Sequence, residues 1–478
     1  MQHLHFIGIG GAGMSGLAEI ALARGITVSG SDLTDSDKLH ELRQLGATIY
    51  IGHLPGNISE DVDLVVYTSA VNRSDNPELE AARNRTIRTM RRADFLGELT
   101  QSMKTIAVAG THGKTTTTSM IAHILLTAGL DPLVSVGASV AELDGRNAYA
   151  GSGQIAVVEA DEYDRSFLAL APYIAIMTTL EAEHLDIYRD LADLQDTFVQ
   201  FASGGSMAGI DIVNIDEPAL RALLPRLSKK IVTYGIESSE AKYRAQNITT
   251  EGLHTMAEIY RGGELIGVLQ LSIPGKHNIS NALAAIATAE SLAIPFDIAA
   301  TALASFQGAQ RRAEIIADSN GVLVIDDYAH HPTEVRATLS ALKAAYPGRR
   351  ILAAFQPHTF TRTRDFSDAF GEVFAELADH LYLMEIYPAR ERPVEGITSD
   401  LILKAAKKRG MKEAIAIPSL SELPAIISGD AKRGDIVVTL GAGSITEAAP
   451  KIAKALGLQE RSGTTARRPS HRRKKEQV

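Results

Sequence analysis

A phosphate-binding loop is the strongest chemical signal in the sequence. It lies between an apolar strand, TIAVA, and a predicted helix, and it consists of Gly110, Thr111, His112, Gly113, Lys114, Thr115 and Thr116. In such a loop the backbone N–H groups surround phosphate oxygens, the lysine neutralises β- and γ-phosphate charge, and the next hydroxyl reaches a magnesium ion. The Walker pattern requires glycine where this chain has Val108, so the loop is a variant. It indicates an ATP or GTP site. The alternative is that the Gly-Lys-Thr sequence occurs by chance in a polar turn.

Acidic residues after another apolar strand could complete a metal site. Glu159 ends the run IAVVE, and open parallel sheets bind their ligands at this carboxyl edge. It is the best candidate for a magnesium ligand, because magnesium prefers oxygen. Asp161, Glu162 and Asp164 follow it, and most of this cluster could be a solvated loop. His184 also follows an apolar strand, but taken alone such a histidine is more often structural.

A second glycine-rich loop lies near the N-terminus. Gly8, Gly10 and Gly13 form a GxGxxG pattern between a strand and a helix, and Asp32 ends the next strand. These glycines let the backbone approach a diphosphate at the start of a helix. NAD, FAD and nucleotide sugars all carry that group, so the loop does not identify its ligand. The alternative is a tight turn that packs the helix against the strand.

The elements that position these loops follow a repeated strand-then-helix order, which predicts three α/β domains. We predict a Rossmann-like domain over 1–104, a central P-loop ATPase-type domain with a parallel sheet over 105–312, and a C-terminal Rossmann-like domain over 313–458. Between Tyr243 and Ile273 polar and apolar residues alternate, which indicates a small antiparallel patch in the central domain.

Composition excludes several kinds of chemistry. The 478 residues include no cysteine, so there are no thiolate nucleophiles, disulfides or cysteine-ligated metals. The net charge is −9, which argues against a broad nucleic-acid surface. Residues 459–478 form a basic tail that we expect to be disordered. No apolar run approaches the roughly 18 residues that span a bilayer, and no signal peptide is recognisable; we expect a cytoplasmic protein without stable membrane insertion.

Two nucleotide loops in separate domains, followed by a third α/β domain, form a distinctive combination. From residue 1 to about 455 the chain resembles the Mur ligases of peptidoglycan synthesis. The motifs that carry the resemblance are GIGGAGM at 8–14, AGTHGKTTTT at 109–118, EADE at 159–162, GKHNISNALAA at 275–285, QRRAE at 310–314, DDYAHHPTEV at 326–335 and FQPHTFTRTRDF at 355–366.

The resemblance implies a reaction. Within the family the chain is most similar to the members that use ATP to join L-alanine to the lactyl carboxylate of UDP-N-acetylmuramate, through an acyl phosphate, with release of ADP and phosphate. It also implies magnesium, or manganese in its place, and a monomer or weak homodimer that acts on small molecules without nucleic acid.

The resemblance also assigns roles to individual residues. The implied catalytic residues are Lys114, Glu159, His184, His330 and Arg362. The implied metal ligands are Thr115, Glu159 and His184. Besides the phosphate loop, the implied nucleotide-binding residues are His277, Asn278, Asn281, Arg312 and Asp327. The implied substrate-binding residues are Gly8, Gly10, Gly11, Ala12, Gly13, Met14, Asp32, Ser69, His331 and Arg364.

The residue types alone also allow purely structural roles at several of these positions. Asn278 and Asn281 could be helix caps, and His330 and His331 could form a capped turn. Arg364, like Arg362, could belong to a solvated face. For the arginines a functional reason also exists, since a guanidinium recognises a carboxylate or phosphate through two parallel hydrogen bonds.

The chain departs from the family pattern at a few positions. Where many relatives read TNxExDH, this chain has Thr179 for the asparagine and Glu183 for the aspartate, and Ser444 replaces an aspartate common near the C-terminus. Because the first domain of the family binds a uridine nucleotide, Asp32 need not bind a ribose as in NAD enzymes.

Three other functions remain open at this stage. A sister ligase would add a peptide or a different amino acid to a related uridine precursor. A nicotinamide-dependent oxidoreductase would use the first glycine loop and Asp32, but it would leave the Lys114 loop without a task. A nucleotide sensor would bind ATP without turning it over.

Overall fold

The computed structural model describes residues 2–68, 71, 75–181, 187–389 and 391–458. The chain forms two compact units. The first comprises residues 1–249, 255–272 and 276–307, and the second begins at Gly308 and includes 250–254 and 273–275. The predicted basic tail, 459–478, lies outside the described residues.

The first sheet has five parallel strands. In chain order its elements are β1 (His3–Ile7), α1 (Ala12–Ala23), β2 (Thr27–Asp32), α2 (Asp37–Gln44), β3 (Thr48–Ile51), β4 (Leu64–Tyr67), α3 (Pro77–Asn84), β5 (Arg88–Arg91) and α4 (Arg92–Thr100). The strand order is β3-β2-β1-β4-β5, and every pair is parallel. The order reverses on either side of β1, which is where a doubly wound sheet opens a ligand crevice. The glycine loop that follows β1 therefore lies at this crevice.

The second sheet has ten strands and, apart from residues 250–254, belongs to the same compact unit. Its elements are β6 (Lys104–Ala109), α5 (Lys114–Thr127), β7 (Leu133–Val140), β8 (Arg146–Ala150), β9 (Ile155–Glu159), β10 (Ile174–Met177), α6 (Leu191–Ser203), β11 (Ile210–Asn214), α7 (Pro218–Arg221), β12 (Lys230–Gly235), β13 (Tyr243–Glu251), β14 (His254–Arg261), β15 (Glu264–Leu271), α8 (Lys276–Ser291) and α9 (Phe296–Ser305). Its strand order is β15-β14-β13-β12-β11-β10-β6-β9-β7-β8.

The centre of this sheet is parallel, from β12 to β7. The predicted antiparallel patch is confirmed, since β14 and β15 pair in opposite directions. A second antiparallel pair, β7 with β8, lies at the other edge and was not predicted. The buried strands read as continuous apolar runs because helices cover both faces of a parallel sheet.

The third sheet lies in the second unit. Its elements are β16 (Glu314–Ser319), β17 (Val322–Asp327), α10 (Pro332–Ala345), β18 (Ile351–Phe355), α11 (Phe360–Leu377), β19 (His380–Leu383), α12 (Asp400–Lys408), β20 (Ala414–Ala416), α13 (Leu423–Asp430), β21 (Ile436–Leu440) and α14 (Ala448–Ala455). The order is β16-β17-β21-β18-β19-β20, and only the β16–β17 pair among these is antiparallel.

Hydrophobic packing explains why the first two sheets form one unit. A single buried cluster includes Leu17 of α1 and Leu96 of α4 together with Ala148 of β8 and Phe167. The three predicted α/β domains, each with its own sheet, are confirmed. Their limits near 104 and 312 stay predictions. Among the described residues, no helix combines the length and apolar character needed to cross a bilayer.

Candidate active site

The phosphate loop joins the end of β6 to the start of α5. Gly110 has a φ of +147° and Gly113 a φ of +82°, a region of backbone conformation that favours glycine. An added Cβ at Gly110 would lie 2.0 Å from the Thr178 hydroxyl, and one at Gly113 would lie 2.6 Å from Oδ1 of Asn281. Both glycines are therefore required by conformation and by close approach of neighbouring groups.

Two threonines after β10 hold the loop from outside. Backbone N–H groups of Thr111 and His112 donate to the carbonyl and hydroxyl oxygens of Thr179, at 3.1 and 2.7 Å. The Thr111 and Thr179 hydroxyls lie 2.9 Å apart, and the Thr178 hydroxyl donates to the His112 carbonyl. The Thr178 carbonyl in turn accepts from the side chain of Asn214, at 2.9 Å. The sequence shows Thr179 only as a departure from the family pattern; its contact with the loop depends on strand register.

Lys114 is the cation of this loop. Its ammonium lies 2.8 Å from the Glu162 carboxylate and donates to the carbonyls of Gly110 and Thr111. Burial alone would lower the pKa of Lys114, but the charges of Glu162 and Asp161 outweigh it and raise the pKa above its ordinary value. Lys114 is therefore charged throughout the physiological range. Glu162, which could have been a solvated residue, is buried and pairs with the lysine.

Glu159 is fixed by two neutral donors. The Thr115 hydroxyl lies 3.1 and 3.0 Å from its two carboxylate oxygens, and the N–H of Gly137 donates to one of them at 2.7 Å. A carboxylate next to a threonine hydroxyl fits the oxygen ligands that magnesium prefers. These two residues were both assigned to the metal by resemblance. The third assigned ligand, His184, lies outside the described residues.

The first glycine loop is closed by Asp32. One carboxylate oxygen accepts from the N–H of Gly10 at 2.9 Å and the other from the N–H of Leu33 at 2.8 Å. An added Cβ at Gly10 would lie 2.9 Å from this carboxylate. Both oxygens of Asp32 are thus occupied by backbone donors, and Asp32 positions the loop. The loop continues through Gly11, Ala12 and Met14 into α1, while Ser69 lies outside the described residues.

Arg92 at the start of α4 connects the two loop regions. An added Cβ at Gly13 would lie 2.8 Å from the Arg92 guanidinium, and the same guanidinium is 3.8 Å from the Asp161 carboxylate. Arg92 and Leu96 line a small cavity together with Glu159 and Asp161. No sequence pattern distinguished Arg92, because its position depends on how α4 packs on the central sheet.

The first turns of α8 supply further neighbours of the phosphate loop. Asn278 and Asn281 are buried within α8, and His277 is exposed. The side-chain oxygen of Asn281, Oδ1, is close enough to Gly113 to exclude a side chain at that position. The structure therefore places Asn281 beside the phosphate loop.

In the second unit, Asp327 holds the segment that enters the third sheet. Its two carboxylate oxygens accept from the N–H groups of Ala313 and Ala329, each at 2.7 Å. Burial raises the pKa of Asp327 to about 6, although the Arg312 charge opposes this shift. The Arg312 guanidinium lies over the ring of Tyr328, 5.4 Å from its centroid. Asp327 thus has a local structural role; its assignment to the nucleotide stays a prediction.

A group of two histidines and an arginine lies at the ends of β17 and β18. His330 and His358 have ring centroids 5.5 Å apart, and the Arg362 guanidinium lies 3.2 Å from Nδ1 of His358. Nδ1 of His330 lies 3.0 Å from the Tyr328 carbonyl. Burial lowers the pKa of His330 to about 3. The negative charge of Glu334 opposes this shift, and the positive charge of Arg362 adds to it. Burial and Arg362 lower that of His358 to about 4.

Nδ1 of His330 therefore donates to the Tyr328 carbonyl. Nδ1 of His358 accepts from the Arg362 guanidinium. Both imidazoles are neutral near pH 7. By resemblance, His358 belongs to the third-domain residues that complete the site, but the sequence assigns it no individual role.

Two other predicted residues occupy simpler positions. His331 is the N-cap of α10, where its side chain accepts from Thr333 and the Glu334 side chain completes a capping box. Arg364 is exposed and pairs with Asp365 at 2.7 Å. These contacts agree with the capped turn and the solvated face described above, and the substrate roles of His331 and Arg364 stay predictions. Ser444 lies 3.3 Å from the side-chain amide of Gln356.

Comparison with known proteins gives a consistent result along the chain. Residues 3–104 match the Mur ligase family, catalytic domain, residues 108–289 match the Mur ligase middle domain, and residues 311–443 match the Mur ligase, glutamate ligase domain. The chain is 45% identical over 453 residues to a UDP-N-acetylmuramate–L-alanine ligase of Myxococcus xanthus, covering 95% of each. It is 42% identical to the ligase of the same name from Salinibacter ruber, covering 98% of this chain and 97% of that protein.

Solved structures agree. The crystal structure of a UDP-N-acetylmuramate-alanine ligase from Thermotoga maritima has a TM-score of 0.82 and 29% identity, covering 96% of this chain and 99% of that one. A murein peptide ligase from Psychrobacter arcticus has a TM-score of 0.71 at 29% identity, covering 96% and 99%.

Proposed function

The chain belongs to the Mur ligase family, and we propose that it is the ATP-dependent ligase that joins L-alanine to the lactyl carboxylate of UDP-N-acetylmuramate. The observation that carries this proposal is the likeness, over 95% of both chains, to a ligase named for that reaction. The Lys114, Thr115 and Glu159 arrangement supports it, since ATP-dependent ligation needs phosphate-binding groups of this kind.

The first chemical step is phosphoryl transfer to a carboxylate. A lactyl carboxylate oxygen attacks the γ-phosphorus of ATP, the bond to ADP breaks, and an acyl phosphate forms. Both reactants are anionic, so the site must concentrate positive charge around the transferred group and hold the reactants in line. We propose that Lys114 supplies this positive charge. We propose that Thr115 and Glu159 hold magnesium, which would neutralise further phosphate charge.

The second step forms the amide. The unprotonated amine of L-alanine attacks the acyl carbon and a tetrahedral intermediate forms. The nitrogen then loses a proton, and the C–O bond to phosphate breaks as phosphate leaves. A guanidinium recognises carboxylate or phosphate through paired hydrogen bonds, and we propose that Arg362 binds one of these anions. His330 is neutral near pH 7, because burial lowers its pKa to about 3. It can therefore contact the reacting groups without adding positive charge.

The first glycine loop is proposed to bind the uridine diphosphate. Free N–H groups at the start of α1 favour a diphosphate, and Asp32 fixes the loop through Gly10. We propose that the reaction takes place in the cytoplasm, where both nucleotides occur, and that the protein is a monomer or weak homodimer.

One other function has a specific observation in its favour. The murein peptide ligase of Psychrobacter arcticus is as similar in sequence, at 29% identity, as the alanine ligase of Thermotoga maritima. A sister enzyme that adds a peptide to the same kind of uridine precursor would share both loops. The higher TM-score of the alanine ligase, 0.82 against 0.71, favours the alanine enzyme.

Phosphate release measured over a grid of uridine precursors and amino acids tests the proposal. We expect release only when ATP, magnesium, UDP-N-acetylmuramate and L-alanine are all present. A tripeptide that competes better than L-alanine at equal concentration would favour the sister ligase. Release that is unaffected by omission of the uridine nucleotide would refute both.

A further inference from the structure

The β7–β8 hairpin contacts both loop regions. On β8, the amide of Asn147 donates a hydrogen bond to the carbonyl of Ala12, the first residue of α1 and part of the first glycine loop. The Asn147 side chain is buried. Its Oδ1 has no hydrogen-bond partner among the residues that the structure describes. Such a group costs stability, so folding alone does not explain an asparagine here.

The contact between hairpin and helix is close as well as polar. An added Cβ at Gly16 of α1 would lie 3.1 Å from the Cβ of Ala148. That spacing is tighter than ordinary van der Waals contact, so α1 packs directly on β8. A displacement of α1 would therefore be transmitted to β8.

The strand that faces Asn147 holds Glu159. The N–H of Gly137 donates to the Glu159 carboxylate at 2.7 Å, and the β7–β8 register is irregular between Ser135 and Val140. Irregularities of this kind re-aim backbone groups next to active sites. Here the irregular segment turns an N–H group away from the strand ladder and toward the carboxylate.

Strand pairing completes a continuous connection between α1 and Glu159. Ser135 of β7 pairs with Ala148 of β8 on one side and with Val158 of β9 on the other. Val158 immediately precedes Glu159. The sequence of contacts therefore runs from α1 through Ala148 and Ser135 to the residue that carries the carboxylate.

We propose that Asn147 is a positioning residue, which couples the first glycine loop to Glu159 through the β7–β8 hairpin, so that binding of the sugar nucleotide and binding of the ATP–metal complex favour each other. This inference rests on the proposed function for the identity of the two ligands. The coupling is reciprocal, because each ligand must change the affinity for the other by the same factor.

Calorimetric titration of the full-length protein tests the coupling without turnover. The affinity for UDP-N-acetylmuramate is measured alone and with saturating magnesium and a non-hydrolysable ATP analogue. In the parent protein we expect the analogue to tighten binding by about fivefold or more, the lower end of measured couplings. In Asn147→Ala we expect this factor to fall to about one, while the affinity for the analogue alone stays within about twofold.

Two further variants make the result specific. Arg146→Ala changes an exposed neighbour on the same strand and should keep the parental coupling. Gly137→Ala acts on the facing strand of the hairpin, where an added Cβ would lie 2.8 Å from the Glu159 carboxylate. It should also reduce the coupling, but with unchanged affinity for the uridine nucleotide alone. This variant tests the proposal if Asn147→Ala does not fold.

The outcomes separate this inference from the proposed function. A parent protein that does not bind the uridine nucleotide at all would contradict the proposed function and, with it, the inference. If the parent binds both ligands but independently, or if Asn147→Ala and Gly137→Ala keep the full coupling, the inference alone is wrong. Loss of coupling in Arg146→Ala as well would also overturn it, because the effect would then not belong to Asn147.

Discussion

The hydroxyl of Thr179 accepts a hydrogen bond from the backbone N–H of His112 at 2.7 Å. This contact joins the end of one strand to the phosphate loop that follows another. Together with the 2.9 Å contact between the Thr111 and Thr179 hydroxyls, it fixes the conformation of the loop. The loop is therefore kept in shape by groups that need not touch the nucleotide.

Replacement of Thr179 should weaken ATP binding. In Thr179→Val the half-buried N–H of His112 loses this acceptor, which costs about 1 to 3 kcal/mol. We expect a rise in the KM for ATP of about tenfold, with little change in the KM for the uridine substrate. Thr179→Ser keeps the hydroxyl and should stay near the parental value. Steady-state phosphate release at varied ATP measures both. Equal KM values in the parent and in Thr179→Val would show that the loop keeps its shape without this contact.

Removal of the Lys114 ammonium should abolish turnover without unfolding the protein. Lys114→Ala deletes the cation that we propose to neutralise the transferred phosphoryl group, and the loss of one such charge costs about 10²- to 10³-fold or more in rate. Lys230→Ala, which changes an exposed lysine at the start of β12, is the matched control and should keep full activity. Phosphate release and circular dichroism report activity and fold. Near-normal turnover in Lys114→Ala would contradict the assignment of the loop.

A side chain at Gly10 should block the uridine nucleotide and spare ATP. In Gly10→Val the added Cβ would lie 2.9 Å from the Asp32 carboxylate and 3.3 Å from Leu39. It would displace the loop and obstruct the approach of a diphosphate to the backbone. Titration should show at least about tenfold weaker binding of UDP-N-acetylmuramate, with parental affinity for an ATP analogue. Gly56→Ala, where an added Cβ meets nothing within 4 Å, should change neither. Unchanged uridine affinity in Gly10→Val would mean that the loop is only structural.

The sequence predicted the parts of the site that are local in the chain. Both glycine loops are continuous segments, and their residue types indicate phosphate binding. Glu159 could be predicted to lie near the phosphate loop because the carboxyl ends of parallel strands meet at one edge of the sheet. The α/β order of the elements predicted the three sheets for the same reason, since hydrophobic runs of strand and helix length alternate along the chain.

The contacts that hold these parts in place could not be predicted. The bond from Gly137 to Glu159 depends on an irregular pairing of β7 with β8, and that from Thr179 to His112 depends on the register of β10 beside β6. Neither has a local sequence pattern. Asp32 shows a different difficulty, because a carboxylate at the end of the second strand is compatible with binding a ribose or a backbone N–H. The structure shows the contact with the N–H of Gly10, and the substrate role of Asp32 stays a prediction.

Burial of Asp327 should make stability fall as the pH rises. Its pKa is raised to about 6 from 3.8, so between these values the folded state keeps a proton that the unfolded state has lost. The folded state then binds more protons, and the free energy of unfolding decreases with increasing pH, by up to about 3 kcal/mol over this range.

Asp327→Asn cannot ionise, so its stability does not include the cost of a buried charge at position 327. The variant should therefore gain stability relative to the parent between pH 4 and pH 7, measured as the difference in melting temperature. Asp318→Asn, an exposed carboxylate on β16, controls for general charge effects. A difference for Asp327→Asn that stays constant with pH would show that the carboxyl ionises at its ordinary value and that its two backbone donors offset the effect of burial.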